Sequence, residues 1–489
     1  MSKKAPKNKS FSADFKKYLE LFTSENDSRD ELEIVFNRGP NMRLTKFDFN
    51  NVIRALKAKN FICANDKGDY HLNIMNVKNN EETGKSYTTS LRTMVKHLAN
   101  IQNYCQTNTF DMTNPPSYIM FQTKKKKEIN SEYLPPIDNR DYKFRVNYKY
   151  ENDLLSTNSF VKNSILTDWE NQNKTFRFIK RFTFTHPSYP FKIDCSVVKT
   201  SKTTERNQYI PATTIQESGI FDNTETFEIE IELINASVRG KYRDNIPQLT
   251  KLLNYGIKLI LSGIQQTNFP VSYVEIGDVL NNYMGTIHNL SRDEYTEEKE
   301  KYLQARKRKV AANITNKERW EARKYLPTHN TNFVGPSMIT LEISNLNKLG
   351  ERSSDANNID ILPPITKLNK PYTVTEKTDG VRKLLFINSM GKIYFITMNM
   401  TVEFTGCIVS ASTGLFNTII DGEHLLYDKH QNYTNRYLMF DLYWLGGVDI
   451  RAYPFLKVPN LKYPPHSKMR QDVFRFDKLS EISEKFLNK

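Results

Sequence analysis

The chain has 489 residues, with 70 Lys and Arg against 55 Asp and Glu and a formal net charge of +15. At roughly 100–200 residues per domain this suggests two to four domains, and an aromatic content of 12% excludes a mostly disordered chain. Only 18 glycines argue against glycine-loop architectures such as a complete Rossmann methyltransferase, and the excess of cations leaves nucleic acid or polyphosphate as the natural partner class.

The four cysteines, Cys63, Cys105, Cys195 and Cys407, are far apart and show no C-x-x-C spacing. A disulfide framework and a zinc site are not expected, and a reducing compartment is the simplest reading. No apolar run approaches the ~20 residues needed to cross a bilayer. The first residues are basic, with no apolar stretch after them, and so read as a tail and not a signal peptide.

Residues 1–12 are this basic tail. From about 13 to 235 the pattern is of period two: Glu31-Leu-Glu-Ile-Val-Phe, Tyr142-Lys-Phe-Arg-Val-Asn-Tyr-Lys-Tyr, Phe176-Arg-Phe-Ile-Lys-Arg-Phe, Phe191-Lys-Ile-Asp-Cys and Phe227-Glu-Ile-Glu-Ile-Glu-Leu-Ile. Polar residues alternating with β-branched or aromatic ones predict strands, hence a largely antiparallel β domain. A short helix is expected around Lys46–Lys57 and a long amphipathic one over Ile246–Gln265, with Pro247 in its first turn. Residues 289–325, dense in Glu, Lys and Arg, predict a solvated helix, and the proline-containing stretch 326–370 reads as a linker. Strands are expected again at Tyr372–Thr375, Lys383–Asn388, Lys392–Met398, Leu415–Ile420 and Tyr437–Leu442. The domains predicted are therefore 13–265, a connector over 266–370, and 371–489.

In a strand, Glu228, Glu230 and Glu232 line one face at roughly 7 Å intervals, and Glu31 and Glu33 repeat the arrangement. The ordinary explanation of one Glu-x-Glu strand is a solvated face countered by neighbouring cations. Two such strands in one β domain read differently, because basic rows lie between them: Lys143, Arg145 and Lys149; Arg177 and Arg181; Lys192 and Lys199. Acidic and basic rows facing each other in a closed barrel would build a metal-plus-phosphate site. Carboxylates would hold Mg2+ or Mn2+, and Arg and Lys the phosphate oxygens.

This arrangement resembles the triphosphate tunnel metalloenzymes, in particular the RNA triphosphatases of fungi and large DNA viruses. The resemblance implies an eight-stranded antiparallel β tunnel in which Glu31, Glu33, Glu228, Glu230 and Glu232 surround a divalent metal. It implies catalytic roles for Glu230 and Glu232, and triphosphate binding by Arg145, Lys149, Arg177, Arg181 and Lys199, with Asp194 as a further polar wall residue. The activity implied is removal of the γ-phosphate from an RNA 5′ end.

Further along, Lys377-Thr-Asp379-Gly380 is followed by Arg382, then by Asp421-Gly422-Glu423 and Phe440-Asp441. Each pattern is short, and Asp-Gly pairs also make ordinary hairpin turns; three motifs in order are much rarer. The order and spacing resemble the covalent nucleotidyltransferases, meaning mRNA guanylyltransferases and ATP-dependent ligases. By that resemblance Lys377 is the nucleophile that forms a lysyl-GMP intermediate from GTP, with Asp379, Gly380, Arg382, Glu423 and Phe440 binding the nucleotide. Such a lysine must be neutral to attack.

The family's D-G-hydrophobic and K-x-K strands and its lid have no counterpart in 443–489. The nucleotidyltransferase domain is therefore expected to be partial, and completed by a second chain or a continuation if it works. The whole chain reads as α+β, a tunnel followed by this partial α+β domain, in the order found in multifunctional capping enzymes of large DNA viruses. That resemblance implies 5′-triphosphate RNA and GTP as partners, with a methyltransferase or completing chain beside them. It places the protein in the host cytoplasm, in a viral factory, or in the virion. An ATP-dependent polynucleotide ligase and a non-catalytic RNA-binding capping subunit are the alternatives.

Overall fold

The structure, a computed structural model, describes residues 11–24, 27–36, 43–79, 86–110, 117–205, 208–239, 241–309, 332–337, 373, 375–430, 432–457 and 472–487. The chain divides into two compact units, 1–273 and 274–489.

The first unit is built on eight long strands: β1 (Asp30–Phe36), β2 (Asp69–Asn79), β3 (Ser86–Lys96), β4 (Ile119–Lys126), β5 (Phe144–Leu154), β6 (Lys174–Thr185), β7 (Phe191–Thr200) and β8 (Thr226–Leu233). Their order is β1-β8-β7-β6-β2-β3-β4-β5, all antiparallel, and β5 pairs back onto β1. The sheet is therefore a closed barrel, which leaves no edge strand among the eight.

Helices cover the outside. They are α1 (Phe11–Ser24), α2 (Lys46–Ala58), α3 (Leu98–Thr107) and α4 (Ile246–Gln265). α1 begins at Phe11, inside the stretch expected to be a tail, because Phe15, Tyr18, Leu19 and Phe22 repeat at helical spacing and are buried. α2 starts where Thr45 and Asp48 form a reciprocal capping box. α4 starts at Asn245, whose side chain accepts from the Gln248 amide, and stops at Gln266 in the left-handed conformation.

The outward residues of four strands, among them Ile34, Val146, Ile193 and Ile231, join α1, α2 and α4 in one core. A second core beside α3 takes Leu72, Ile74, Leu91, Val95 and Phe176. This burial fixes the register. Ile229, Ile231 and Leu233 are almost fully buried outside β8, so a one-residue slip would drive three glutamates into that core. Each aliphatic side chain so buried contributes on the order of 2 kcal/mol.

The second unit contains all but the first residue of α5 (Tyr273–His288), together with α6 (Arg292–Lys309), α7 (Arg475–Leu487) and a six-stranded antiparallel sheet. Its strands are β9 (Val381–Ile387), β10 (Lys392–Thr397), β11 (Val402–Ile408), β12 (Thr418–Tyr427), β13 (Tyr433–Leu445) and β14 (Val448–Asp449), in the order β11-β10-β9-β12-β13-β14. One face packs Leu384, Phe386, Tyr394 and Trp444 against Val279, Tyr283 and Met284 of α5; the other packs Leu385, Ile387 and Leu442 against Leu479 and Ile482 of α7.

Three expectations change. Residues 373 and 375 are not in a strand, and 372 and 374 lie outside the described residues. β12 begins at Thr418 and not at Leu415. The charged helix ends at Lys309; 310–325, and the linker apart from 332–337, lie outside the described residues.

Candidate active sites

Because the aliphatic side of β8 is outside, Glu228, Glu230 and Glu232 point into the barrel. Glu31 and Glu33 of β1 do the same, since Leu32 and Ile34 are in the core. The register sets Glu33 opposite Glu232, and on the other side of β8 it sets Lys192, Asp194 and Ser196 opposite Glu232, Glu230 and Glu228. All five carboxylates expected from the sequence therefore line one interior.

The cations interleave with them. Lys124 Nζ lies 2.5 Å from Glu31, 3.3 Å from Glu33 and 2.8 Å from Glu151. Lys149 also pairs with Glu33, which accepts a 2.9 Å hydrogen bond from Asn147 as well. Arg177 pairs with Glu228. Arg181 lies 3.4 Å from the buried Asp194, which accepts a 2.6 Å bond from the Thr183 hydroxyl, and Lys192 lies 3.1 Å from Glu232.

The interior is short of positive charge at one point. No cation lies within 4 Å of the Glu230 carboxylate among the described residues, and burial together with Glu33 and Glu228 raises its pKa to about 7. Burial and Glu31 push Glu232 up to about 7 despite Lys192. Glu33 is opposite in sense: burial opposes its ionised form, but Lys124 and Lys149 outweigh burial and hold it at about 2. Burial disfavours the charge on Arg181, yet Asp194, Glu230 and Glu232 raise its pKa further.

As arranged, no group of three or more His, Cys, Asp or Glu among the described residues could hold a metal ion. The donor chemistry nonetheless fits one. Five hard oxygen donors, two of them crowded enough to resist ionisation, are what a divalent cation relieves.

Two expected phosphate ligands lie elsewhere. Lys199 has the opposite parity to Asp194 on β7, faces outward, and donates to the Phe221 carbonyl at 2.9 Å. Arg145 has the inward parity but is held by Asp138 at 2.6 Å, on a short strand added beside β5. Sequence reasoning missed Lys124, Glu151 and Asn147, whose only signal was their even spacing from Gln122 and Lys149 on neighbouring strands.

In the second unit, β9 and β12 pair so that Arg382 faces Glu423 and Val381 faces His424. Arg382 is held by the buried Asp421 through Nε at 3.1 Å and Nη2 at 2.5 Å, and Asp421 also accepts a 2.6 Å bond from the Tyr443 hydroxyl. Its guanidinium sits 5.6 Å from the Phe333 ring centroid and 5.9 Å from that of Phe440. The Gly380 amide donates to Glu423 at 3.2 Å, and a Cβ at Gly380 would come within 2.8 Å of both Glu423 and the His424 carbonyl. Gly422 is as constrained: its Cβ would meet the Leu438 carbonyl at 2.5 Å. These two glycines are there for close approach, beyond any turn propensity.

Lys377 departs from what a nucleophile needs. It is exposed, 2.5 Å from Asp379, and that hydrogen bond raises its pKa. The arrangement favours the ammonium, the opposite of the neutral amine expected for that role. Asp421 and Tyr443, which fix Arg382, were not among the expected ligands; Asp421 was visible only as part of a three-residue motif.

Parts of this chain align with solved structures of other proteins. A solved structure of the Mimivirus capping enzyme triphosphatase aligns at 15% identity over 49% of this chain and 96% of its own, with a TM-score of 0.30. A triclinic form of that protein gives 15%, 49%, 95% and 0.31. The S. pombe Pct1 RNA triphosphatase gives 12% identity over 54% of this chain and 93% of its own, with a TM-score of 0.28. No curated protein matches the chain. Residues 363–475, the stretch that carries Lys377, Arg382, Glu423 and Phe440, match the family model for the mRNA capping enzyme catalytic domain.

Proposed function

We propose that the chain prepares and caps RNA 5′ ends in two steps, one in each unit. In the barrel, water attacks the γ-phosphorus of a 5′-triphosphate and the bond to the β–γ bridging oxygen breaks, giving inorganic phosphate and a 5′-diphosphate RNA. Lys124, Lys149, Arg177, Arg181 and Lys192 would hold the phosphate oxygens. Glu31, Glu33, Glu228, Glu230 and Glu232 would hold Mg2+ or Mn2+, which would neutralise charge on the γ-phosphoryl group. Glu230, which has no cation within 4 Å among the described residues, would orient the water.

In the second unit, neutral Lys377 attacks the α-phosphorus of GTP, pyrophosphate leaves, and GMP passes from the lysine to the diphosphate end. Arg382, locked by Asp421, and Phe440 beside its guanidinium support this reading. The observation that carries the reading is the convergence of five glutamates on the inside of a closed barrel whose inner wall also carries five cations.

RNA labelled at the β- or γ-phosphate tests the first step: label from γ should appear as inorganic phosphate while label from β stays on the RNA. [α-32P]GTP against [α-32P]ATP tests the second, and an adduct with ATP alone would point to ligase chemistry.

The exposed, ion-paired Lys377 favours a second reading for this unit alone, in which it binds nucleotide or RNA without forming the adduct. The capping reading implies 5′-triphosphate RNA and GTP as partners, with a methyltransferase acting beside them. Among the described residues no helix is long and apolar enough to cross a membrane. Action in the host cytoplasm or in a virion is part of the same proposal.

A further inference from the structure

The four consecutive lysines 124–127 read as one solvated cluster, but the end of β4 gives them different tasks. Lys124 turns into the barrel among Glu31, Glu33 and Glu151. Lys127 is buried on Asp30, at 2.8 Å and 3.1 Å from its two carboxylate oxygens. Lys125 and Lys126 are exposed and form no ion pair among the described residues. With Thr89, Ser90 and Arg92 of β3 and Lys149 of β5 they line a cavity of about 310 Å³.

That cavity shares Lys124 and Lys149 with the carboxylate site, since both line it and pair with Glu33. Its five cations meet three carboxylates, Glu31, Glu33 and Glu151, so the charges of Lys125 and Lys126 are left uncompensated. Thr89 and Ser90 add neutral hydroxyls, which suit phosphodiester oxygens and ribose hydroxyls.

Resting on the reading of the barrel as an RNA triphosphatase, we propose that this cavity seats the RNA chain behind its 5′-triphosphate. Lys125 and Lys126 each hold one phosphodiester, so the barrel prefers a polynucleotide to a free nucleoside triphosphate. A free nucleotide has no phosphodiester to offer them. An acidic peptide would satisfy the charges but would leave the hydroxyl pair and the shared wall with the carboxylate site without purpose.

The test uses the full chain and a fluorescein-labelled ten-nucleotide single-stranded RNA with a 5′-hydroxyl, so that binding is read apart from hydrolysis. Anisotropy titrations between 50 and 200 mM KCl should show Kd raised five- to tenfold in Lys125→Ala/Lys126→Ala. The salt dependence should fall by about 0.7 per lost contact on a log–log plot, as expected for single strands. Lys16→Ala/Lys17→Ala, which removes two exposed lysines from α1, makes the same change in net charge and should leave both quantities near wild type. In hydrolysis, KM for triphosphate-ended RNA should rise five- to tenfold more than KM for free nucleotide.

Equal losses in the two double variants, equal effects on RNA and nucleotide, or polyglutamate binding as tight as the RNA would overturn the proposal. Phosphate release with no such difference would remove the docking surface and leave the triphosphatase standing. RNA binding that is weakened in the variant, with no phosphate release from wild type, would do the reverse.

Discussion

Glu33 of β1 and Glu232 of β8 are cross-strand partners inside the barrel, and they ionise in opposite senses. Glu33 is held at about 2 because, against its burial, Lys124 and Lys149 stand beside it. Glu232 is pushed up to about 7 because burial and Glu31 outweigh Lys192. The barrel interior is thus balanced on the Lys124 and Lys149 side and over-acidic along β8. A divalent cation would restore the balance where the protein's own cations do not.

Glu230→Gln should therefore separate stability from activity. Removing one crowded carboxylate in EDTA should raise the thermal midpoint, by about 2–4 °C for each kcal/mol gained in a unit of this size. Added Mg2+ should stabilise wild type more than the variant. Differential scanning fluorimetry with and without metal reads both effects, and a lower midpoint for the variant in EDTA would count against the crowding.

Lys124→Met should act in the other direction. It leaves Glu31, Glu33 and Glu151 without their common partner, at a cost of about 3 kcal/mol. Urea titration should show the loss, and millimolar Mg2+ should recover part of it. No change in the unfolding midpoint would mean that the lysine is dispensable to the acidic cluster.

Asp421→Asn should weaken the second unit without touching the first. It loosens Arg382 and the Tyr443 hydroxyl together, and should lower the unfolding free energy of that unit, read from urea titration, by about 3 kcal/mol. Transfer of label from [α-32P]GTP should fall at least tenfold, while phosphate release from RNA continues. Lys377→Ala should abolish the label altogether.

Lys174 gives a pH dependence of known sign. Its ammonium is buried and donates to the Trp169 and Gln172 carbonyls at 2.6 and 2.8 Å. Burial lowers its pKa to about 8, against about 10.5 in the unfolded chain. Between these values the unfolded state binds more protons, so stability should rise as pH climbs from 8 to 10.5. Urea midpoints for wild type and Lys174→Met across that window should diverge, with the rise missing in the variant.

Much of the barrel was legible because its physics is local. Alternation over two strand lengths puts Glu31 and Glu33, and Glu228 to Glu232, on faces that must be polar once Ile34 and Ile231 are buried. What stayed hidden depends on pairing between distant strands. Lys124 looks like one of four solvated lysines until β4 is laid beside β5, and Lys199 looks equivalent to Arg181 until parity on β7 turns it outward.

In the second unit the motif residues were legible, but their partners were not. Tyr443 reaches Asp421 only through the pairing of β12 with β13, and Phe333 comes from a stretch expected to be linker. Nor does sequence reveal that α5, inside the expected connector, packs Tyr283 and Met284 under β9 and β10.

If the five glutamates act together as a metal-dependent phosphohydrolase site, the full chain should release 32P from γ-labelled 5′-triphosphate RNA with Mg2+ or Mn2+ and not with EDTA. Release with metal, none in EDTA, and a loss of at least 100-fold in Glu230→Ala are the expected result. Metal-dependent release that persists in Glu230→Ala, or no release from wild type with either metal, would contradict it.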